Sequence, residues 1–442
     1  MEVSVPYAGR KLEFDVPKGN LLALVVPRLP RAGNEVKTIG HALANPINSK
    51  RVSQLARPES KVAIAVTDST RQVPNHTILP SVIRELEESG VKDQNVTIVV
   101  ATGMHRPSAE EEIRSNVGDE VARRFKVVNH NAEDEAAMTR YGKSQLGTEL
   151  LVNRVFGDAD LKIVTGTITP CSLSGWCGGS KTLMPGVSGR RSIEQNHALF
   201  VKNLSGVNRG AMGGIGENNL VRKDMDDCAR MAGLDYAVNV SLNEEKQVMQ
   251  AFAGAPQGVH KAGVQFGKDV MKTSLPERAD IVVAGPGYVE NEVSLFQSAT
   301  RAFATVENLV KERGTIILVS SCHKGLYEGT SEEVESFRKW LVDLPKAKEI
   351  MELTERKEIP SFEACVLYQF SWMMQRSSVK VITSGVSEDA LDEIGIGRYA
   401  SANEAIEESL RVYGKEAKIA VVPYASITYV SPIPAWDVAS LR

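Results

Sequence analysis

The 442-residue sequence predicts an α/β protein of two units, each with a mostly parallel sheet. Three observations predict it. Seven short apolar runs are continuous rather than alternating, as in strands covered on both faces: KVAIAVTD, NVTIVVATG, LKIVTGT, ADIVVAGPG, TIILVSS, VKVITSG and KIAVVPYAS. Segments with helical spacing separate them, which is the order of crossover units. The pattern weakens after Leu220 and restarts at Ala279, which puts a unit boundary near 270–278.

Taken in order, residues 1–16 read as two short strands joined near Gly9, and a weak helical pattern runs from Val36 to Leu55. The strand 61–68 ends in DSTRQVPN, and a helix follows from His76 to Glu88. The strand 95–103 ends in MHRPSAEEE, where Ser108 and Glu111 have the spacing of a capping box. Short strands follow at 127–130 and 161–167. VRKDMDDCARMAG reads as a helix, and VNVSLNEEKQVMQAFAG as a hairpin. In the second unit, helices are expected at 293–313, 331–345, 361–377 and 401–413 between the last four strands. The expected division is 1–274 and 275–423, with the tail 424–442 packing back on the first unit.

Composition narrows the function. A net charge of -3 gives no electrostatic reason to expect nucleic acid as a partner. No apolar run is long enough to span a bilayer, so no membrane is expected. Five cysteines, an odd number with no CxxC pair, point to reduced thiols and a cytoplasmic setting.

In parallel sheets ligands sit beyond the carboxyl ends of the strands. The polar residues there are Asp68 and Arg71, His105 and Arg106, and the stretch 165–197, TGTITPCSLSGWCGGSKTLMPGVSGRRSIEQNH. That stretch is rich in glycine and holds one lysine among apolar residues, Lys181, and one histidine, His197. GGSKT is not a phosphate loop, because Ser180 separates glycine from lysine. GPGYVENE lacks a dinucleotide fingerprint. The cluster Gly210, Gly213, Gly214 and Gly216 reads as a loop. Arg71 has the planar fork that holds a carboxylate or phosphate. A lysine in such surroundings suits covalent attachment. Cys171 and Cys177 read as inert thiols rather than metal ligands.

Four segments, DSTR (68–71), ATGMHRP (101–107), GGSKTLMPGVSG with NH (178–189, 196–197) and LFQ (295–297), together resemble the nickel-dependent lactate racemase family. They occur in order along nearly the whole chain. The resemblance implies two α/β domains with the active site in the cleft between them. It implies a nickel-pincer nucleotide, a pyridinium mononucleotide with two thiocarboxyl arms, tethered to Lys181, with nickel also bound by His197. It implies that Asp68, Ser69, Thr70, Arg71 and Gln297 contact the nucleotide and that His105 is a catalytic base beside Arg71. The implied reaction inverts C2 of a 2-hydroxy acid by hydride transfer through a 2-keto acid. The implied partners are that acid and the enzymes that make the cofactor.

The chain departs from the family pattern at three places. Cys171 stands where the family has a second histidine, Thr300 with Arg301 beside it where the family has a lysine, and Phe296 where a tyrosine is usual. The lost lysine argues against lactate and for a larger or more polar acid, met by Arg71, Thr300 and Arg301. The second proton shuttle then falls to Cys171, His130, His323 or the substrate. A hydride-transfer enzyme that does not racemise, and a pincer-nucleotide binding protein without turnover, are the alternatives.

Overall fold

The computed structural model describes residues 1–205, 218–329 and 331–430. Two six-stranded sheets carry the fold. The first runs Val248–Gly254, Tyr236–Leu242, Leu161–Thr167, Val62–Thr67, Val96–Ala101, Lys126–Asn129. Its strands are parallel except Val248–Gly254, which closes the expected hairpin against Tyr236–Leu242 with Ala237 opposite Gly254. The second runs Gly397–Arg398, Ser378–Ile382, Val310–Val319, Ala279–Ala284, Ile419–Val422, Leu21–Leu24, all parallel.

The last strand of that order departs from the expected division. Residues 1–24 sit on the second sheet rather than on the first. Leu21–Leu24 pairs with Ile419–Val422, and Val3, Val5, Phe14 and Val16 of the amino-terminal hairpin pack on Ile281, Val283, Ile419 and Val421. At the other end, Tyr429–Val430 pairs with Lys272–Thr273, and the Tyr429 ring meets Trp176 edge-on at 5.9 Å. The rest of the tail and the glycine cluster 210–216 lie outside the described residues.

Local departures have local causes. The pattern from Val36 to Leu55 is two helices, Glu35–Ala44 and Val52–Leu55. Pro46 breaks it, because a residue before proline is pushed out of the helical region. The helix expected at Ser108 starts at Glu110, where Glu112 reaches back to the Ala109 N–H at 2.7 Å. Ser108 instead exchanges two hydrogen bonds with Asn129. The helix 293–313 is shorter, Leu295–Val306, and the next strand begins at Val310.

One apolar core joins the two units. Val164, Ile168 and Trp176 of the first belong to the same cluster as Ala299, Phe303 and Val422 of the second. The helix Ser361–Met374 is apolar on nearly every face, as a helix packed on all sides must be. It packs on the helices Leu295–Val306 and Arg190–Ser205, one from each unit.

Candidate active site

The strand Val62–Thr67 lies between Val96–Ala101 and Leu161–Thr167, so the loops after these three strands diverge at one sheet edge. A cleft opens there against the second unit, with an empty volume, counted out to solvent, of about 1700 Å³. Asp68, Arg71, His105, Cys171, Lys181, His197, Gln297, Thr300 and Arg301 all line it. Ser69 and Thr70 do not. Ser69 is exposed and its hydroxyl reaches Glu112 at 3.5 Å. Thr70 supports its neighbours: its hydroxyl donates to Asp68 Oδ1 at 2.6 Å and accepts from Arg71 Nη1 at 2.8 Å.

Asp68 and His105 form a pair, with Oδ2 and Nδ1 2.6 Å apart. Burial alone would push the Asp68 carboxyl up, but the charge and hydrogen bond of His105, with Arg71 nearby, hold it down at about 2. A carboxylate on Nδ1 fixes the ring and its tautomer, leaving Nε2 for other partners.

The glycine-rich stretch is wired to the first sheet. Asn239 Oδ1 accepts from the Gly179 N–H at 2.7 Å, and Thr182 Oγ1 donates to the Thr165 carbonyl at 2.7 Å. Arg222 donates to the carbonyls of Trp176 and Gly178. Gly178 must be glycine: its φ is +86°, and a Cβ would fall 2.6 Å from Ile168 Cδ1.

This frame holds Lys181 against two thiols. Its Nζ lies 2.9 Å from Cys171 Sγ, 3.3 Å from Ser174 Oγ and 3.8 Å from Cys177 Sγ. Of the two thiols, Cys171 is the one whose neighbours favour ionisation. The Cys177 hydrogen bond and the Lys181 ammonium pull it well below the usual thiol range, against burial. Cys177 is pushed up correspondingly. Cys171 is thus not the inert thiol its sequence suggests. His197, on the helix Arg190–Ser205, is buried and held down at about 4 by burial and by Lys181, so its imidazole is neutral.

The second unit contributes one helix face. Ser294 caps the helix Leu295–Val306 by accepting from the Gln297 N–H at 3.3 Å. Gln297 and Arg301, four residues apart, stand one above the other. The Thr300 hydroxyl turns back to the carbonyls of Phe296 and Gln297, at 2.9 and 3.2 Å, so it offers the cleft no free donor. Arg301 is the cation on this wall. Burial, then Arg71, lowers its guanidinium to about 10.

Two of the expected stand-ins for the second base lie elsewhere. His130 is buried behind the sheet edge, with Nε2 on the Ser188 carbonyl at 2.9 Å and Asn153 at Nδ1, and burial holds it at about 4. His323 is exposed and does not line the cleft. Sequence reasoning missed the third wall, Cys365, Val366 and Gln369 of the helix Ser361–Met374. A lone glutamine in the apolar run CVLYQFSWMM was its signal.

Among the described residues no helix is long and apolar enough to cross a membrane. The chain matches the lactate racemase N-terminal domain over residues 7–208 and the lactate racemase C-terminal domain over residues 275–428. It is 30% identical to the lactate racemase of Lactiplantibacillus plantarum, over 95% of this chain and 97% of the relative. It is 27% identical to that of Thermoanaerobacterium thermosaccharolyticum, over 95% and 97%. The lactate racemase apoprotein structure from T. thermosaccharolyticum superposes with a TM-score of 0.87 at 25% identity, covering 98% of this chain and all 100% of the other. A Thermotoga maritima protein shares the fold alone, with a TM-score of 0.68 at 17% identity, over 91% of this chain and 100% of that one. Both domain matches and a full-length relative agree with the motifs that gather in the cleft: the chain belongs to the lactate racemase family and is a racemase-like isomerase.

Proposed function

We propose that the chain inverts C2 of a 2-hydroxy acid larger or more polar than lactate, using a nickel-pincer nucleotide joined to Lys181. The observation that carries this reading is the convergence of Arg71, His105, Lys181, His197, Gln297 and Arg301 on one cleft.

The residues present fit such a cofactor. A nucleotide with a phosphate and two thiocarboxyl arms is anionic; Arg71 and Arg301 are cationic side chains on the cleft wall, and Lys181 brings an amine for the tether. His197 offers one neutral imidazole donor. Among the described residues no group of three or more His, Cys, Asp or Glu side chains could hold a metal by itself. Nickel there would take its other donors from the sulfur arms, which suit it. When bound, the nucleotide would supply the hydride chemistry.

The chain's own residues do the rest. His105, its Nδ1 held by Asp68, takes the C2 hydroxyl proton at Nε2 and returns it. Arg71 and Arg301, one from each unit, hold the substrate carboxylate across the cleft, in place of the family's lysine. Cys171, beside Lys181 on the cleft wall, is the remaining group there that can exchange a proton. Free thiols among the described cysteines support a reducing, cytoplasmic setting, where cofactor-synthesis enzymes are the partners.

The test is intact-protein mass spectrometry with nickel analysis, on protein co-expressed with the cofactor-synthesis enzymes, followed by chiral analysis of 2-hydroxy acids. An adduct on Lys181, about one nickel per chain and C2 inversion are expected. Folded protein with neither adduct nor nickel would sink the reading. One observation favours a second reading, a one-way hydride transfer: besides His197, His105 is the one histidine on the cleft wall among the described residues.

A further inference from the structure

Cys171 and Cys177 meet over one ammonium. The short strands Pro170–Cys171 and Gly175–Trp176 pair antiparallel, with Cys171 opposite Gly175. The Cys177 N–H donates to the Thr169 carbonyl at 2.8 Å, which carries the ladder one residue further. Residues two apart on a strand share a face, so Cys177 lies on the face of Gly175 and of its partner Cys171. Both sulfurs reach Lys181 Nζ, Cys171 at 2.9 Å and Cys177 at 3.8 Å. Both residues line the cleft and are half-buried, whereas Cys228, Cys322 and Cys365 are buried. The two paired thiols are also unlike. Their mutual hydrogen bond and the Lys181 ammonium draw Cys171 down, while Cys177 is pushed up and keeps its proton. A reachable thiolate beside a thiol that can resolve it is the arrangement of a redox pair.

We propose that Cys171 and Cys177 form a reversible disulfide while Lys181 carries its ammonium, so that the cofactor-free chain is open to oxidation and the loaded chain is protected. The oxidant is a small disulfide of the glutathione type. Cys171 Sγ attacks one of its sulfurs, which forms a mixed disulfide and releases one thiolate. That thiolate takes the Cys177 proton. Cys177 Sγ then attacks Cys171 Sγ and releases the second half as a thiolate, which carries away the charge Cys171 began with. The two cysteines are oxidised and the small disulfide is reduced. Protection follows from the same contact, and this half of the inference rests on the reading that the cofactor is joined to Lys181. Attachment at Nζ turns the ammonium into an uncharged amide-type nitrogen, and Cys171 loses the cation that favours its thiolate.

The test treats the full cofactor-free chain with oxidised glutathione at neutral pH and follows intact mass and peptide maps. Wild type should lose the mass of two hydrogens, with Cys171 linked to Cys177 and the other three cysteines reduced, and dithiothreitol should reverse it. Cys177→Ser should stop at a glutathione adduct on Cys171, and Cys171→Ser should form neither product. Lys181→Met should form the bridge roughly 10-fold more slowly. A wild-type chain that stops at the glutathione adduct, or that links any other pair, overturns the inference. So does an unchanged rate in Lys181→Met. Protein co-expressed with the cofactor-synthesis enzymes and carrying the Lys181 adduct should form the bridge roughly 10-fold more slowly than cofactor-free protein. An equal rate overturns the protection and leaves the bridge. Co-expressed protein with no adduct at Lys181 overturns the attachment reading, and the protection with it, while the bridge in the cofactor-free chain stands on its own result.

Discussion

Asp68 Oδ2 lies 2.6 Å from His105 Nδ1, and the two residues come from loops that follow adjacent parallel strands. The buried carboxylate fixes which ring nitrogen can exchange a proton with a ligand. Asp68→Asn can present an amide in either orientation and so loses that control. Its kcat/KM should fall about 100-fold, with Lys181 adduct mass and nickel unchanged. Unchanged turnover would mean that His105 does not act through Nε2.

The same pair sets a pH dependence of stability. The Asp68 carboxyl is depressed to about 2 in the folded chain, below its unfolded value. The stabilisation is therefore full above the unfolded value near 4 and is lost as pH falls through about 2. At pH 7 it is worth about 2.5 kcal/mol, and about half that at pH 3. Urea titrations of wild type and Asp68→Asn at the two pH values should show that gap narrowing. A constant gap would contradict the linkage.

In cofactor-free protein, where Lys181 keeps its ammonium, Cys171 should be the most reactive of the five cysteines. Below pH 8, iodoacetamide followed by peptide mapping should modify Cys171 well before Cys177, because only the former is held as a thiolate by its neighbours. Lys181→Met should slow that alkylation. Preferential labelling of Cys177 would reverse the assignment of the pair.

Gly178→Ala should destabilise the chain by about 2 kcal/mol or more, since it combines a left-handed backbone with a Cβ 2.6 Å from Ile168 Cδ1. Denaturant unfolding measures it directly. A neutral result would mean that the glycine-rich stretch relaxes away from the sheet.

Arg301→Met should raise KM for the hydroxy acid by roughly 10- to 100-fold, with a smaller change in kcat. Thr300→Val should do little, because the Thr300 hydroxyl is already bonded to its own helix. Equal effects of the two substitutions would remove Arg301 from the substrate seat.

The strands were legible because a parallel strand covered on both faces is apolar throughout, as in VAIAVT and VTIVVA. The hairpin Met138–Asn153 was not, because its first strand, MTRYGK, is mostly solvated and carries no alternation. Asp68, Arg71, His105, Lys181 and His197 stood out because they end strands or close a loop dense in glycine. Gln369 did not, since a residue in the middle of a helix shows its role only through what packs around it. Arg301 and Thr300 were visible as neighbours, but that the Thr300 hydroxyl is spent on its own helix, leaving Arg301 to meet a ligand, shows only in the folded helix. The place of Leu21–Leu24 had no signal at all. Pairing between strands some four hundred residues apart leaves no local pattern.

That pairing has a consequence for how the chain is made. On the ribosome the edge strand Leu21–Leu24 emerges some four hundred residues before its partner, Ile419–Val422. The second sheet cannot close until Ile419–Val422 has been made. The first sheet, whose strands all lie between residues 62 and 254, can assemble long before. Folding is thus ordered by translation, and the long wait of an unpaired edge strand leaves Leu21–Leu24 in need of chaperone protection.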